Sequence, residues 1–296
     1  MMTTTTTTTK SFEQKISKTW GKIFTRKSHN KTRKLINYAA QNNSNSSNND
    51  KFVTKICGVT NEECLQKAID SGCTHVGMIL WPKSKRSVSR EIAKTLAKKC
   101  LESDVIPVAV FVDERAEEIE EICKEIGVKT AQLHGDFARK SLKDIPLSIN
   151  VIWAISVDCE TGEIMKETLP RAESDEEMTS RRSKMLSGEK GWRAPIDWVN
   201  GPRKTIDYIL IDGIKAGSGE RVAWEKLEIP RGCSRKGWIL AGGLNAENCS
   251  EAIMLLRPNG VDCASGVSDE NGVLKDFEKC KAFVKNCEMA RTKTLQ

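Results

Sequence analysis

The sequence predicts an α/β chain with one (βα)8 barrel as its body and a separate leader in front. Three observations carry that prediction. Eight short apolar runs recur along the chain after residue 51, amphipathic stretches separate them, and glycines gather just after several of the runs. Continuous apolar runs, rather than alternating ones, suit strands buried on both faces of a parallel sheet. Eight strand–helix repeats in about 240 residues also match the length and rhythm of such a barrel. A doubly wound open sheet has the same rhythm, because periodicity does not report closure.

The expected strands are Phe52 to Cys57, His75 to Leu80, Ile106 to Val112, Val128 to Leu133, Asn150 to Val157, Tyr208 to Ile211, Trp238 to Ala241 and Gly260 to Cys263. Helical periodicity covers Glu62 to Ser71, Arg90 to Leu101, Ala116 to Ile126, Ala246 to Leu256 and Lys275 to Lys285. Asn61 and Asn245 stand where N-caps belong, and Gly72 and Gly127 where helices should stop. From Asp158 to Lys204 the chain turns polar and charged without an apolar period, which reads as a surface insertion around the fifth helix.

Residues 1–50 form the leader. They hold a seven-residue Thr run, nine Lys or Arg against only Glu13 and Asp50, and the polar tract Gln41 to Asp50. Basic, hydroxyl-rich, acid-poor leaders read as organelle transit peptides, and the dominance of Thr and Ser favours the plastid; a disordered basic tail has the same composition. The remaining residues, 51–296, carry 38 basic and 38 acidic side chains, so the formal charge of +7 lies entirely in the leader. A neutral body without a basic stripe argues against nucleic acid as a partner. No apolar run reaches the roughly 20 residues that span a bilayer, which argues against a membrane role. Eleven cysteines are spread singly without a C-x-x-C pair, and the body's two histidines lack metal-ligand spacing, so reduced thiols and no metal are expected.

In a barrel, chemistry belongs at the carboxyl ends of the strands. Those positions hold Cys57-Gly58, Arg86, His134-Gly135, Asp212-Gly213 with Ala216-Gly217-Ser218-Gly219, Gly242-Gly243 and Ser265-Gly266. Glycines after the last two strands suit a phosphate, because backbone N–H groups reach an anion where no Cβ intervenes. Cys57 is a candidate base if a cation or backbone dipoles lower its pKa, and Asp212 a candidate acid if its surroundings raise its own. Core packing is the alternative for Cys57, and a turn or N-cap role for Asp212. The planar guanidinium of Arg86 suits a carboxylate, though a solvated basic loop is equally consistent. His134 fits a polar strand-end residue as well as a catalytic one.

Taken together, Lys55-Ile56-Cys57-Gly58, Ser84 with Arg86, Gln132-Leu133-His134-Gly135, Asp212 with the arm to Gly219 and Trp224, Leu240-Ala241-Gly242-Gly243-Leu244, and Val261-Asp262 with Ser265-Gly266-Val267 resemble phosphoribosylanthranilate isomerases. The resemblance runs from about Lys51 to Val284, and the leader resembles those of plastid-targeted plant members. It implies a single-domain (βα)8 enzyme of tryptophan biosynthesis acting on a small phosphorylated substrate, as a monomer or homodimer, with no cofactor. By that resemblance Cys57 is the general base and Asp212 the general acid. Arg86 holds the anthranilate carboxylate, Gly217, Ser218, Gly219, Gly242, Gly243, Ser265 and Gly266 surround the phosphate, and Asp262 aligns the substrate. Two loops depart from the family pattern: Ala216 stands where a glycine is usual, and Ala264 where a serine is. A catalytically weakened paralogue that binds phosphate ligands, or another phosphosugar barrel enzyme, is the alternative. Lys55 and Glu62 are poor stand-ins for the lysine and glutamate of indole-glycerol-phosphate synthase.

Overall fold

The computed structural model describes residues 52–165, 168, 206–213, 222–227, 229 and 234–295. The leader, most of the polar segment between 158 and 204, and the arm Ala216 to Gly219 lie outside the described residues.

Eight strands pair in parallel and in chain order: β1 (Val53–Cys57), β2 (His75–Ile79), β3 (Ile106–Phe111), β4 (Thr130–Leu133), β5 (Asn150–Val157), β6 (Tyr208–Gly213), β7 (Trp238–Leu240) and β8 (Gly260–Cys263). The last strand returns to the first, with Val53 opposite Gly260 and Lys55 opposite Asp262. That pairing closes the barrel and removes the open-sheet alternative. Six α-helices are described: α1 (Glu62–Asp70), α2 (Arg90–Glu102), α3 (Ala116–Ile126), α4 (Asp136–Lys140), α5 (Cys249–Leu256) and α6 (Phe277–Leu295). Among the described residues no helix is long and apolar enough to cross a membrane.

Local chemistry accounts for the helix ends. Asn61 caps α1, its Oδ1 accepting from the Cys64 N–H at 2.8 Å, and α3 stops at Gly127, whose φ of 74° is left-handed. At α5 the structure corrects the sequence. The Asn245 side chain accepts from the N–H groups of Glu247 and Asn248, closing a turn of its own, so the helix starts at Cys249 with Asn248 as its N-cap. Short polar side chains offer the backbone this alternative to a helix. Likewise α6 starts after Lys275, which bridges to Ser268, and runs past Lys285 because buried Cys287 and Ala290 continue its packed face.

Period-two alternation divides the strand residues between two cores. Val53, Val108, Ile152, Ala154, Tyr208, Leu210, Ile239 and Ala241 fill the barrel. Outward residues such as Ile56, Val76, Met78, Phe111, Leu133 and Ile209 pack against the helices in the larger core. The same inward parity continues toward the carboxyl ends with Lys55 and Cys57 on β1, Gln132 on β4, Asp212 on β6 and Asp262 on β8. Thus an apolar layer inside the barrel gives way to a polar one toward the carboxyl ends of the strands.

Closure itself depends on a small residue. A Cβ placed on Gly260 would stand 2.4 Å from Val53 Cβ and 2.6 Å from Val53 O. Gly260→Ala is therefore expected to destabilise the chain by about 1–3 kcal/mol through overpacking at the β1–β8 seam, read from the midpoint of urea unfolding.

Candidate active site

Cys57 ends β1, and the chain bends at Gly58, where φ is 72° and both the Gly58 and Val59 N–H groups donate to Gly77 O. Glycine is needed there for a second reason: a Cβ at Gly58 would meet Arg86 Cδ at 2.6 Å. The Arg86 side chain therefore lies across the end of β1, beside the cysteine. It is buried, its Nη1 donates to Gly272 O at 2.9 Å, and its Nε has no acceptor among the described residues. A guanidinium this enclosed and only partly satisfied is held ready for an anion.

Gly77 sits opposite Cys57 in the β1–β2 register, and a Cβ there would stand 2.6 Å from Cys57 Sγ and 3.0 Å from Lys55 Nζ. Thiol and ammonium thus share the space that the missing side chain leaves. Lys55 is fully buried and donates to Asp262 Oδ2 at 2.9 Å across the β1–β8 seam. Burial opposes its charge, but the Asp262 carboxylate and the Cys57 sulfur outweigh that cost and raise its pKa.

Cys57 departs from expectation. The sequence reading asks for a lowered thiol pKa, whereas burial raises it, with Lys55 and Lys275 opposing that rise and Asp262 adding to it. The physical reason is enclosure: only about 6% of the residue reaches solvent. Asp212 behaves as the acid reading requires. Burial and the negative charge of Asp262 push its carboxyl up to about 7, against the Gly213 N–H, which donates to Oδ1 at 2.9 Å, and the more distant Lys55 and Arg86. Gly242, with φ of 80°, keeps this carboxyl free of crowding, since a Cβ would approach Oδ1 to 3.0 Å.

The expected phosphate loops are only partly within the described residues. Gly242 and Gly243 both have positive φ, and neither N–H donates to an acceptor among the described residues. Ser265 and Gly266 begin a short 3-10 turn straight after β8 and are half-buried. Gly266 packs on the β7 loop so closely that a Cβ would meet Leu244 O at 2.0 Å. Gly217, Ser218 and Gly219 lie outside the described residues. His134 keeps a supporting part. Burial, Arg139 and Lys55 depress its pKa to about 4, leaving it neutral, while its main-chain carbonyl accepts from the Arg139 guanidinium. Among the described residues no three His, Cys, Asp or Glu side chains stand close enough to hold a metal ion.

The comparisons with known proteins agree with this geometry. The family model described as N-(5'-phosphoribosyl)anthranilate (PRA) isomerase matches residues 54–178 and 199–286. The chain belongs to this family. It is 30% identical over 235 residues to N-(5'-phosphoribosyl)anthranilate isomerase 1, chloroplastic, of Arabidopsis thaliana, covering 79% of this chain and 74% of that one. Over 235 residues it is 34% identical to the isomerase of Chlamydia felis, covering 79% and 96%. Among solved structures it is similar to the isomerase of Thermotoga maritima, with a TM-score of 0.56 at 29% identity, covering 80% of this chain and 99% of that one. A phosphoribosyl anthranilate isomerase solved in complex with reduced 1-(o-carboxyphenylamino)-1-deoxyribulose 5-phosphate gives a TM-score of 0.54 at 28% identity, covering 80% and 99%. The family match breaks between 178 and 199, inside the segment read as an insertion.

In this isomerase fold the structure brings together Cys57, Arg86, Asp212 and Asp262 with the loops after β7 and β8. Sequence reasoning missed the part played by Lys55. Its signal was present: a lone lysine inside an apolar strand, two residues before Cys57 and therefore on the same face.

The raised Asp212 pKa has a consequence for stability. A carboxyl whose folded pKa lies above its unfolded value stabilises the fold fully only below about pH 4, and that contribution is lost as pH rises through about 7. Asp212→Asn is therefore expected to match the parent near pH 4 and to exceed it at pH 8 by on the order of 4 kcal/mol. Thermal or urea unfolding at the two pH values reads the difference.

Proposed function

We infer that the chain converts N-(5-phosphoribosyl)anthranilate to 1-(2-carboxyphenylamino)-1-deoxyribulose 5-phosphate, the Amadori rearrangement of tryptophan biosynthesis. The observation that carries the assignment of roles is the contrast between two groups at the barrel mouth: a carboxyl whose pKa lies near 7 and a thiol that shares the Gly77 gap with a buried ammonium. Asp212 in its protonated form donates to the furanose ring oxygen, the C1–O bond breaks, and the nitrogen lone pair forms the iminium. Cys57 as thiolate then removes the C2 proton, which the iminium makes acidic. The electron pair moves into the C1–C2 bond as the iminium is neutralised, and the resulting enolamine tautomerises to the ketone. One acid and one base suffice.

Arg86, half satisfied by Gly272 O, takes the anthranilate carboxylate through its remaining donors. The N–H groups of Gly242 and Gly243, which have no acceptor among the described residues, take the phosphate with the Ser265-Gly266 turn and the arm Gly217 to Gly219. The loss of anthranilate-type fluorescence on adding residues 51–296 to fresh substrate tests this reading. Cys57→Ala and Asp212→Asn should each lower kcat/KM by roughly a thousandfold or more, within the range for removal of a general acid or base. Arg86→Ala should mainly raise KM, by about 10- to 100-fold. A folded parent that leaves the fluorescence unchanged overturns the assignment.

Residues 1–50 are proposed to be a plastid transit peptide. Their acid-poor, hydroxyl-rich composition supports this, as do two Arabidopsis thaliana relatives that are named chloroplastic. A fluorescent protein carrying residues 1–50 should be imported and shortened by isolated chloroplasts, and one that stays outside at full length argues for an ordinary basic tail. The working unit is taken to be a monomer or a homodimer; one Thermotoga maritima relative is described as dimeric.

A further inference from the structure

Between the acid and the base lies an ion pair that the rearrangement itself does not consume. Lys55 Nζ donates to Asp262 Oδ2 at 2.9 Å, shares the space over Gly77 with the Cys57 thiol, and is completely buried. Asp262 reaches the seam from β8, and its second oxygen, Oδ1, is buried without a donor among the described residues. We propose that the Lys55–Asp262 pair is a positioning element for both reacting groups: the Lys55 ammonium is the counter-ion of the Cys57 thiolate, while the Asp262 carboxylate anchors that ammonium and holds the proton on Asp212.

Geometry and charge both support the division of labour. The pair is a cross-strand contact in register, so its geometry is set by the sheet and not by a flexible loop. After burial, the largest influences on the thiol among the described residues are Lys55, which favours the thiolate, and Asp262, which opposes it, with a smaller contribution from Lys275 in favour. Lys275 already donates to Ala264 O and Ser268 Oγ, whereas Lys55 shares the Gly77 gap with the sulfur. On the acid side Asp262 opposes ionisation of Asp212, while Lys55, Arg86 and the Gly213 N–H favour it. With no donor to Oδ1 among the described residues, the charge on Asp262 is not spread into hydrogen bonds with them on that side. A neutral residue at 262 would leave the Lys55 ammonium without its anchor and remove the charge that opposes ionisation of Asp212. One buried pair therefore separates two protonation states that a single low-dielectric cavity would otherwise drive in the same direction, toward the neutral forms.

This rests on the reading of Cys57 as base and Asp212 as acid, so the test must not depend on turnover alone. In the substrate-free protein, alkylation of Cys57 by iodoacetamide is followed by peptide mass across pH 6 to 10. Lys55→Met should slow alkylation at pH 7.5 by at least about tenfold and shift its pH midpoint upward by about a unit or more. Lys55→Arg should retain the parental midpoint. Removing one partner of a buried pair threatens folding, so Lys55→Met/Asp262→Asn, which leaves no unpaired charge, is measured beside it. That double variant should alkylate more slowly than the parent. In turnover, Lys55→Met should lower kcat with little change in KM, and Asp262→Asn should lower the Asp212 midpoint seen by carboxyl infrared difference spectroscopy. A parental alkylation profile in the folded double variant overturns the proposal. Because alkylation needs no catalysis, that outcome is separate from a failure of the isomerase assay.

Discussion

The β1–β8 seam is the contact on which everything else depends. It is where the first and last strands meet, and it places Lys55 directly opposite Asp262. Were the sheet open there, the two charges would sit on opposite edges and each would be hydrated. Closed, they are shielded from water and hold each other at 2.9 Å. Burying an ion pair is an uncertain source of stability, because desolvation offsets most of the attraction. Its value here lies in the field it creates for Cys57 and Asp212, both of which stand within that field at the same end of the barrel.

Absent side chains shape the mouth as much as present ones. Gly77 makes room for the thiol and the ammonium, Gly58 lets Arg86 lie across the end of β1, and Gly242 leaves space beside the Asp212 carboxyl. In each case a Cβ would enter the space of a charged or reactive group rather than an inert one. Arg86 is further tied to the turn after β8 through Gly272 O, and Lys275 ties the start of that turn to Ala264 O and Ser268 Oγ. The guanidinium beside β1 and the glycine loop after β8 are therefore parts of one connected surface, as a substrate with a carboxylate at one end and a phosphate at the other would need.

Much of this was legible in the residues themselves. The continuous apolar runs located all eight strands to within two residues at each end, because a strand buried on both faces leaves no polar gap to confuse its limits. Asn61 and Gly127 marked real helix ends, since each relies on a local bond or a local φ. Asn245 misled for an equally local reason: the same side chain that can cap a helix also closes a turn of its own. The chemically distinctive side chains at strand ends, Cys57, Arg86 and Asp212, were identifiable because few other roles place such residues there.

What the sequence by itself determined is the set of things that depend on neighbours along the chain: strand and helix periodicity, parity of facing, and the residues that end each strand. Only the tertiary structure decided which strands are adjacent, and with it the partner of Lys55 and the burial of Cys57. The thiol shows why this matters. A base at this position calls for a lowered pKa, but enclosure by the whole barrel raises it, and desolvation is a property of the packed interior that no local pattern contains.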